Sequence, residues 1–330
     1  LAATGRVRTL TTSWTWRDRL GAWGVRWGFR RMAYRVQPGL YRIGEPDTNA
    51  PVLVTANYKL TLDMLRRELD GHDLWILVLN THGVNVWCAA GKGTFGTDEL
   101  IKRIQKHRLE QVVNHRQLIL PQLGAPGIAA HEIRQATGFA VVYGPGRAID
   151  IPAFLDNGMK ADETMRTVTF ALRERLSVIP VELVYAMKFA LLPMVAIAIG
   201  AVFFGGSHTA LILRALLEVL GAILIGTVAV PVLLPVLPFR SFTLNGLLAG
   251  LIHVGLLISL VPAPMAWQPV RLLVLPVISA WLALNFTGAT TFTSLSGVER
   301  ELRRSVIPLG ISLIAGILAG LGLLLKGWLS

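Results

Sequence analysis

The strongest constraint on this chain is the uneven distribution of its charged and apolar residues. Residues 189–330 carry only 10 charged side chains, whereas residues 1–188 carry 25 Lys or Arg and 17 Asp or Glu. Five apolar stretches in the second half are each long enough to cross a bilayer as a helix. They lie near 184–204, 210–237, 243–262, 270–290 and 306–326. The sequence therefore predicts a water-exposed part followed by an all-α transmembrane domain of five helices over 184–330.

The water-exposed part has the pattern of an α/β domain over 38–183. Short apolar runs at 52–56, 74–79, 117–120 and 139–143 predict strands. They alternate with helical patterns at 59–69, 98–107 and 128–136. A turn that leads into the domain is expected at Pro38-Gly39-Leu40-Tyr41. This alternation is typical of a parallel, three-layer, Rossmann-like sheet. Ligands of such sheets bind beyond the carboxyl ends of the strands.

A basic, tryptophan-rich segment over 1–37 precedes this domain. Trp14, Trp16, Trp23 and Trp27 alternate there with arginines. Such a segment fits the surface of a membrane, with indoles among the lipid headgroups and guanidinium groups on phosphates. It equally fits a helix that packs on the α/β domain, and the sequence leaves both interpretations open.

The basic residues also predict an orientation in the membrane. They lie mainly on one side of the predicted spans, at Arg173, Arg175, Lys188, Arg240, Arg300, Arg303 and Arg304, whereas the opposite loops offer mainly Arg271 and Lys326. By the positive-inside rule, the α/β domain lies in the cytoplasm and the C-terminus outside a multi-pass cytoplasmic membrane protein. The net charge of +12 is then expected to serve contact with membrane lipid, because no nucleic-acid recognition motif accompanies it.

Cys88 is the only cysteine of the chain, and it follows the apolar run 74–79 closely. Asn85 is a good N-cap for a short helix that begins at Val86, which places Cys88 in the first turn. The helix dipole and the charge of Lys92 are expected to make this thiol lose its proton more easily than in water. The alternative is that a lone cysteine is simply a small buried apolar residue.

The string Asn85-Val86-Trp87-Cys88-Ala89-Ala90-Gly91-Lys92 closely resembles the cap-helix signature of the corrinoid mercury-methylating protein, a relative of the corrinoid iron–sulfur protein. The resemblance implies a base-off cobalamin or related corrinoid with Cys88 as the lower axial ligand of cobalt. Loops at the other strand ends also resemble this family. The implied cofactor contacts are Thr55, Asn57, Thr61, Asn85, Val86, Trp87, Cys88, Ala89, Ala90, Gly91, Lys92, Gly93, Thr94, Gly124, Ala125, Pro126, Gly127, Tyr143, Gly144 and Pro145.

The same resemblance implies an anaerobic methyltransferase that transfers a methyl group from cysteine-ligated methylcob(III)alamin to Hg(II), forming methylmercury. It also implies two partners. One is a ferredoxin-like protein with two [4Fe–4S] clusters, which acts as reductant and possible mercury donor. The other is a methyl donor linked to methyltetrahydrofolate. Because a cluster needs several cysteine ligands, a chain with one cysteine is not expected to carry its own iron–sulfur cluster.

Two other functions remain open from the sequence. The first is a corrinoid methyl carrier of one-carbon metabolism, as in the acetyl-CoA pathway. The second is a non-catalytic membrane protein in which Cys88 binds a soft metal ion. His82 is not expected to ligate cobalt, because Asn80-Thr81-His82-Gly83-Val84-Asn85 departs at both ends from the Asp-x-His-x-x-Gly pattern of histidine-ligated carriers.

Overall fold

The computed structural model describes residues 7–206, 209–261, 263–290 and 295–329. The chain divides into two compact units, Leu1–Thr169 and Phe170–Ser330. The first unit is a mixed α/β domain, and the second is helical and contains five long apolar helices. This order of an α/β part before a helical part confirms the coarse prediction from the charge distribution.

The first unit is built on a six-stranded sheet in the order β1-β2-β4-β3-β5-β6. Its strands are β1 (Arg8–Thr9), β2 (Gly39–Ile43), β3 (Val52–Ala56), β4 (Leu74–Leu79), β5 (Gln117–Leu120) and β6 (Ala140–Tyr143). All residues of β3 and β4 are buried, which explains their continuous apolar runs. Four of these strands, β3 to β6, were predicted from the sequence and are confirmed.

The prediction of an all-parallel sheet is wrong at one edge. Strands β4, β3, β5 and β6 are parallel, but β2 runs antiparallel to β4, with Gly39 opposite Val78 and Ile43 opposite Leu74. The sequence suggested a turn at Pro38 and Gly39, because these residues are common in turns. In the structure Gly39 begins a strand instead, since Leu40, Tyr41 and Ile43 are buried there.

Helices cover both faces of the sheet. On one face, α2 (Lys59–Arg67) and α6 (Ile151–Asp156) bury Leu62, Leu65 and Phe154. On the other face, α3 (Val86–Gly91), α4 (Thr97–Lys106) and α5 (Ala130–Thr137) form the second core. A four-residue helix, α7 (Glu163–Arg166), follows near the end of the unit. The predicted three layers are therefore present.

The N-terminal segment contributes a helix to this unit, α1 (Trp16–Arg26). Asp18 of α1 makes ion pairs with Lys59 and Arg66 of α2, at 2.6 and 2.9 Å. Just before the helix, the Trp14 indole donates a hydrogen bond to the Asp63 carbonyl oxygen at 2.7 Å. These contacts hold α1 against α2, as one of the two interpretations of the segment expects.

The second unit consists of α8 (Leu172–Phe204), α9 (Thr209–Leu224), α10 (Val230–Leu233), α11 (Phe242–Leu260), α12 (Gln268–Asn285) and α13 (Leu295–Leu329). A π-helical segment, Ile225–Ala229, joins α9 to α10. Among the described residues, five helical stretches are long and apolar enough to cross a membrane. The helix that contains the first predicted span begins earlier than expected, at Leu172.

Helices α11 and α12 approach closely where α11 carries glycine. A Cβ atom on Gly246 would lie 2.5 Å from the Cα atom of Ala280, and one on Gly250 would lie 2.5 Å from the Cα atom of Pro276. These glycines are one turn apart, so they form a single strip of contact. Small residues at this spacing allow apolar helices to pack backbone against backbone.

Candidate functional site

The carboxyl ends of the four parallel strands meet at one edge of the sheet, where Asn57 organises the neighbouring loop. Asn57 follows β3 and is only 1% exposed. Its Oδ1 atom accepts hydrogen bonds from the backbone N–H groups of Thr81 and Gly83, at 3.1 and 2.9 Å. The Thr81 hydroxyl lies 2.9 Å from the same oxygen. The chain after β4 is therefore tied to the end of β3 before α3 begins.

Two consecutive residues with positive φ turn the chain into α3. His82 has φ 56° and Gly83 has φ 78°. A Cβ atom on Gly83 would lie 2.8 Å from the Met32 carbonyl oxygen, so both the conformation and the close approach require glycine. His82 is exposed, and its backbone N–H donates to Asn80 Oδ1 at 3.3 Å.

Helix α3 begins as the sequence predicts. The Asn85 side chain accepts a hydrogen bond from the Cys88 backbone N–H at 3.0 Å, which is an N-cap interaction. Cys88 therefore lies in the first turn. The helix is only six residues long, and Gly93, with φ 75°, follows it. Asn85, which was predicted as a cofactor contact, thus already has a structural role.

The Cys88 thiol is free and half-buried. Burial raises its pKa above the ordinary value, whereas the positive charges of Lys92 and Arg31 and a hydrogen bond with Asn85 act in the opposite direction. Burial has the larger effect. The expectation that this thiol loses its proton more easily than in water is therefore wrong for the protein without a ligand, because the charges of Lys92 and Arg31 and the hydrogen bond with Asn85 do not offset the loss of solvent.

Arg31 is close enough to act on Cys88, although no motif in the sequence points to it. It lies 57 positions before Cys88 in the chain, in a short 3₁₀ segment, Arg31–Ala33, and its charge acts on the thiol. Its guanidinium carbon also lies 6.0 Å from the centre of the Tyr58 ring. No spacing in the sequence indicates this proximity, because it depends on the path of the N-terminal segment along the carboxyl edge.

The rear of α3 packs tightly on the loop after β5. Ala89 and Ala90 are buried, and they face a 3₁₀ segment, Gln122–Gly127. A Cβ atom on Gly127 would lie 2.2 Å from the Phe95 carbonyl oxygen and 3.1 Å from the Cα atom of Ala90. One on Gly124 would lie 2.6 Å from the Phe95 ring. These four small residues, predicted as cofactor contacts, form an internal seam between the two loops.

The remaining predicted contacts divide by exposure. Thr55, Val86, Gly144 and Pro145 are buried; Thr61, Trp87, Thr94, Ala125 and Tyr143 are half-buried; Gly91, Lys92, Gly93 and Pro126 are exposed. The Tyr143 hydroxyl lies 3.5 Å from the Ile128 carbonyl oxygen, and burial raises its pKa. The surface that a ligand can reach therefore consists of the outer side of α3, the turn that follows it and the exposed end of the Gln122–Gly127 segment.

The donor set at this surface suits a cofactor that brings most of its own metal ligands. Among the described residues, no three His, Cys, Asp or Glu side chains come together to hold a metal ion. Cys88 is a single soft donor, and the exposed Gly91 lies about one turn further along α3. A corrinoid ring supplies the equatorial ligands of its cobalt and needs one protein ligand, so the residues present fit this group.

Comparisons with known proteins relate the same segment to corrinoid proteins. Residues 30–155, which include β2 to β6 and α3, match the family described as CO dehydrogenase/acetyl-CoA synthase delta subunit. The chain is 36% identical over 128 residues to the acetyl-CoA decarbonylase/synthase complex subunit gamma of Methanopyrus kandleri, covering 38% of this chain and 27% of that protein. It is 33% identical over 135 residues to the subunit of the same name from Archaeoglobus fulgidus, covering 40% and 28%.

A third relative is the corrinoid/iron-sulfur protein large subunit of Moorella thermoacetica, 30% identical over 122 residues, covering 36% of this chain and 27% of that protein. The chain thus spans about a quarter of the length of the curated relatives it matches. These findings support a relationship of the α/β unit to corrinoid proteins of acetyl-CoA metabolism. They do not single out mercury methylation.

Proposed function

We propose that the α/β unit binds a corrinoid against α3, with Cys88 as the lower axial ligand of cobalt, and that the chain acts as a corrinoid-dependent methyltransferase. One observation supports this most directly. The chain's only thiol lies half-buried in the first turn of a capped helix, at the carboxyl edge of a segment related to corrinoid proteins. The exposed Gly91, Lys92 and Gly93 are the residues best placed to border the cofactor.

Residues of this chain hold Cys88, the proposed ligand of cobalt, in position. The Asn57 amide fixes the loop before α3, and Asn85 fixes the first turn, so the sulfur is held in position by two independent side chains. Because the free thiol has a raised pKa, ligation must include loss of its proton, and binding is expected to release one proton. Lys92 and Arg31 favour the resulting thiolate through their positive charge.

The corrinoid supplies methyl-transfer chemistry when bound, and the protein adjusts it through the axial ligand. A thiolate at Cys88 donates more electron density than an imidazole, which favours transfer of the methyl group to an electrophile. We propose Hg(II) as this acceptor, with methylmercury as product, because Hg(II) is soft and because Asn85–Lys92 resembles the signature of mercury-methylating proteins. A ferredoxin-like reductant and a methyltetrahydrofolate-linked donor belong to the same proposal.

A second acceptor is favoured by the comparisons, which fit a methyl carrier of the acetyl-CoA pathway better than they fit mercury methylation. In that case the methyl group passes to an enzyme of one-carbon metabolism. Both candidates use a corrinoid on the α/β unit, but they differ in the electron balance of the transfer. Hg(II) would take the methyl group together with the bonding electron pair, whereas a nucleophilic acceptor of one-carbon metabolism would take it without that pair. The five apolar helices are proposed to anchor either protein in the cytoplasmic membrane, with the α/β unit in the cytoplasm and the C-terminus outside.

The first experiment tests the cofactor. The full chain is purified without oxygen in the presence of corrinoid, and its cobalt content and absorption spectrum are compared for wild type, Cys88→Ala and Cys88→His. We expect one cobalt per wild-type chain, and a spectrum that changes in both variants because the sulfur ligand is lost. Absence of cobalt from the wild-type chain, with its α/β fold intact by circular dichroism, would favour a non-catalytic metal-binding membrane protein.

The second experiment separates the acceptors. The methylated, corrinoid-loaded chain is supplied with Hg(II), and methylmercury is measured in a single turnover beside Cys88→Ala. Stoichiometric methylmercury from wild type alone supports the mercury proposal. A loaded chain that leaves Hg(II) unmethylated but passes its methyl group to an acetyl-CoA synthase would support the carrier instead.

A further inference from the structure

Helix α1 has two faces with different surroundings. Ala22 and Val25 are 2% exposed and lie on the face that packs against the α/β unit. Asp18, on the same face, pairs with Lys59 and Arg66. A capping box between Thr15 and Asp18 fixes the start of the helix. The helix is therefore held in one orientation, and the face opposite Ala22 and Val25 points away from α2.

The opposite face is a strip of large apolar side chains. Trp16 is 66% exposed, Leu20 57%, Trp23 63% and Trp27, at the helix end, 41%. Because each helical residue turns by about 100°, these four positions fall within roughly 60° of one another. Phe29 and Met32 continue the exposed apolar surface just beyond the helix. Soluble surfaces rarely present such a continuous patch unless something binds there.

Arginine residues border this strip. Arg17 and Arg19 lie on its two sides and are exposed, and the Arg17 guanidinium carbon lies 5.5 Å from the centre of the Trp16 ring. Residues 7–37 contain seven arginines and one acidic residue, Asp18. Asp18 is already paired with α2, so Arg17 and Arg19 leave the outer face of α1 with a net positive charge.

We propose that the strip formed by Trp16, Leu20, Trp23 and Trp27 binds the surface of an anionic lipid bilayer. Indole rings favour the headgroup level, where their apolar body and N–H group are both satisfied. Arginines on both flanks can reach lipid phosphates. A bilayer is also expected to be present beside this chain, since the same chain carries five helices of membrane-spanning length. One face of α1 then packs on the α/β unit and the other binds the membrane surface, so both interpretations that the sequence left open apply to the same helix.

The test measures the depth of a spin label on α1 in a bilayer. The full chain, in a Cys88→Ala background, receives Leu20→Cys for labelling, because Leu20 lies in the middle of the strip and is exposed enough to be replaced without loss of packing. Gln105→Cys, on an exposed position of α4, is the matched control. Both proteins are placed in nanodiscs of phosphatidylcholine with phosphatidylglycerol, and collisions with oxygen and with a water-soluble nickel chelate are compared.

We expect the label at position 20 to collide several-fold more with oxygen than with the nickel chelate, relative to the label at position 105. The ratio of oxygen collisions to nickel-chelate collisions at position 20 should fall when phosphatidylglycerol is removed, and also when Arg17 and Arg19 are both replaced by Gln. A water-like label at position 20 in the anionic bilayer would overturn the proposal. Protection from both reagents would overturn it too, because the strip would then be covered by protein, either a second copy or another partner.

Discussion

Replacing Asn57 tests whether this buried amide holds the loop that leads into α3. In Asn57→Ala, the backbone N–H groups of Thr81 and Gly83 lose their acceptor while they remain buried. A buried donor without a partner costs about 1–3 kcal/mol. The Thr81 hydroxyl is not counted, because it also lies 2.7 Å from the Val84 carbonyl oxygen and can donate there. Two donors together cost about 2–6 kcal/mol, so a loss of about 3 kcal/mol in the stability of this loop is a conservative expectation.

Hydrogen exchange measures this loss where it occurs. A loss of about 3 kcal/mol corresponds to roughly a hundredfold faster exchange of the amides of residues 81–84, provided that they exchange by local opening. Thr81→Val is the matched control, since it removes the Thr81 hydroxyl from the same loop but leaves Asn57 Oδ1 to accept from both backbone N–H groups. Exchange that is unchanged in Asn57→Ala, or equally fast in both variants, would refute this explanation of how α3 is positioned.

Three further predictions concern the same unit. Gly127→Ala should destabilise it by about 1–3 kcal/mol, because the new methyl group overlaps the Phe95 carbonyl oxygen; thermal unfolding followed by circular dichroism measures the shift, and an unchanged midpoint would contradict the tight seam. Alkylation of Cys88 in the ligand-free protein should reach half its maximal rate at a higher pH than alkylation of an ordinary thiol, because burial raises the pKa of Cys88 and only the thiolate reacts. A half-maximal rate at a lower pH would show that the charges of Lys92 and Arg31 outweigh burial. Burial raises the pKa of Asp18, but hydrogen bonds from Lys59 and Thr15 outweigh burial and hold the pKa well below its usual range. The attachment of α1 should therefore be intact above about pH 4 and should weaken as the pH falls towards the lowered pKa. Hydrogen exchange of α1 measures this weakening, and exchange that does not accelerate in acid would contradict the prediction.

The sequence contained enough to predict the parts of the fold that depend on local patterns. The apolar runs of β3 to β6, the capping of α3 by Asn85 and the five apolar helices follow from neighbouring residues alone. Strand β2 does not, because Pro38 and Gly39 favour a turn locally and the strand forms through pairing with β4 on one side and β1 on the other. Pairing with a distant strand is a tertiary effect that outweighs local preference.

The position of Cys88 in the fold was predicted better than the environment of its thiol. The sequence places Cys88 in the first turn of α3, but the direction of its pKa shift depends on how far the folded protein removes the sulfur from water. The same holds for Asn57, Gly124 and Gly127, which were expected to face a ligand. The structure shows that they take part in internal packing and hydrogen bonding, which a linear motif does not reveal, and their contact with a cofactor stays a prediction.

The seam between α3 and the Gln122–Gly127 segment also limits how this protein can change over evolutionary time. No space is left at Gly127 for a single methyl group against Ala90 and the Phe95 backbone. Because these contacts are with backbone atoms, no smaller side chain at position 90 or 95 can make room, and a larger residue at position 127 pushes α3 outward together with its cysteine. Position 127 should therefore stay glycine among proteins that keep a thiol at position 88, whereas positions 95 and 124 should vary together, because a Cβ atom on Gly124 meets the Phe95 ring.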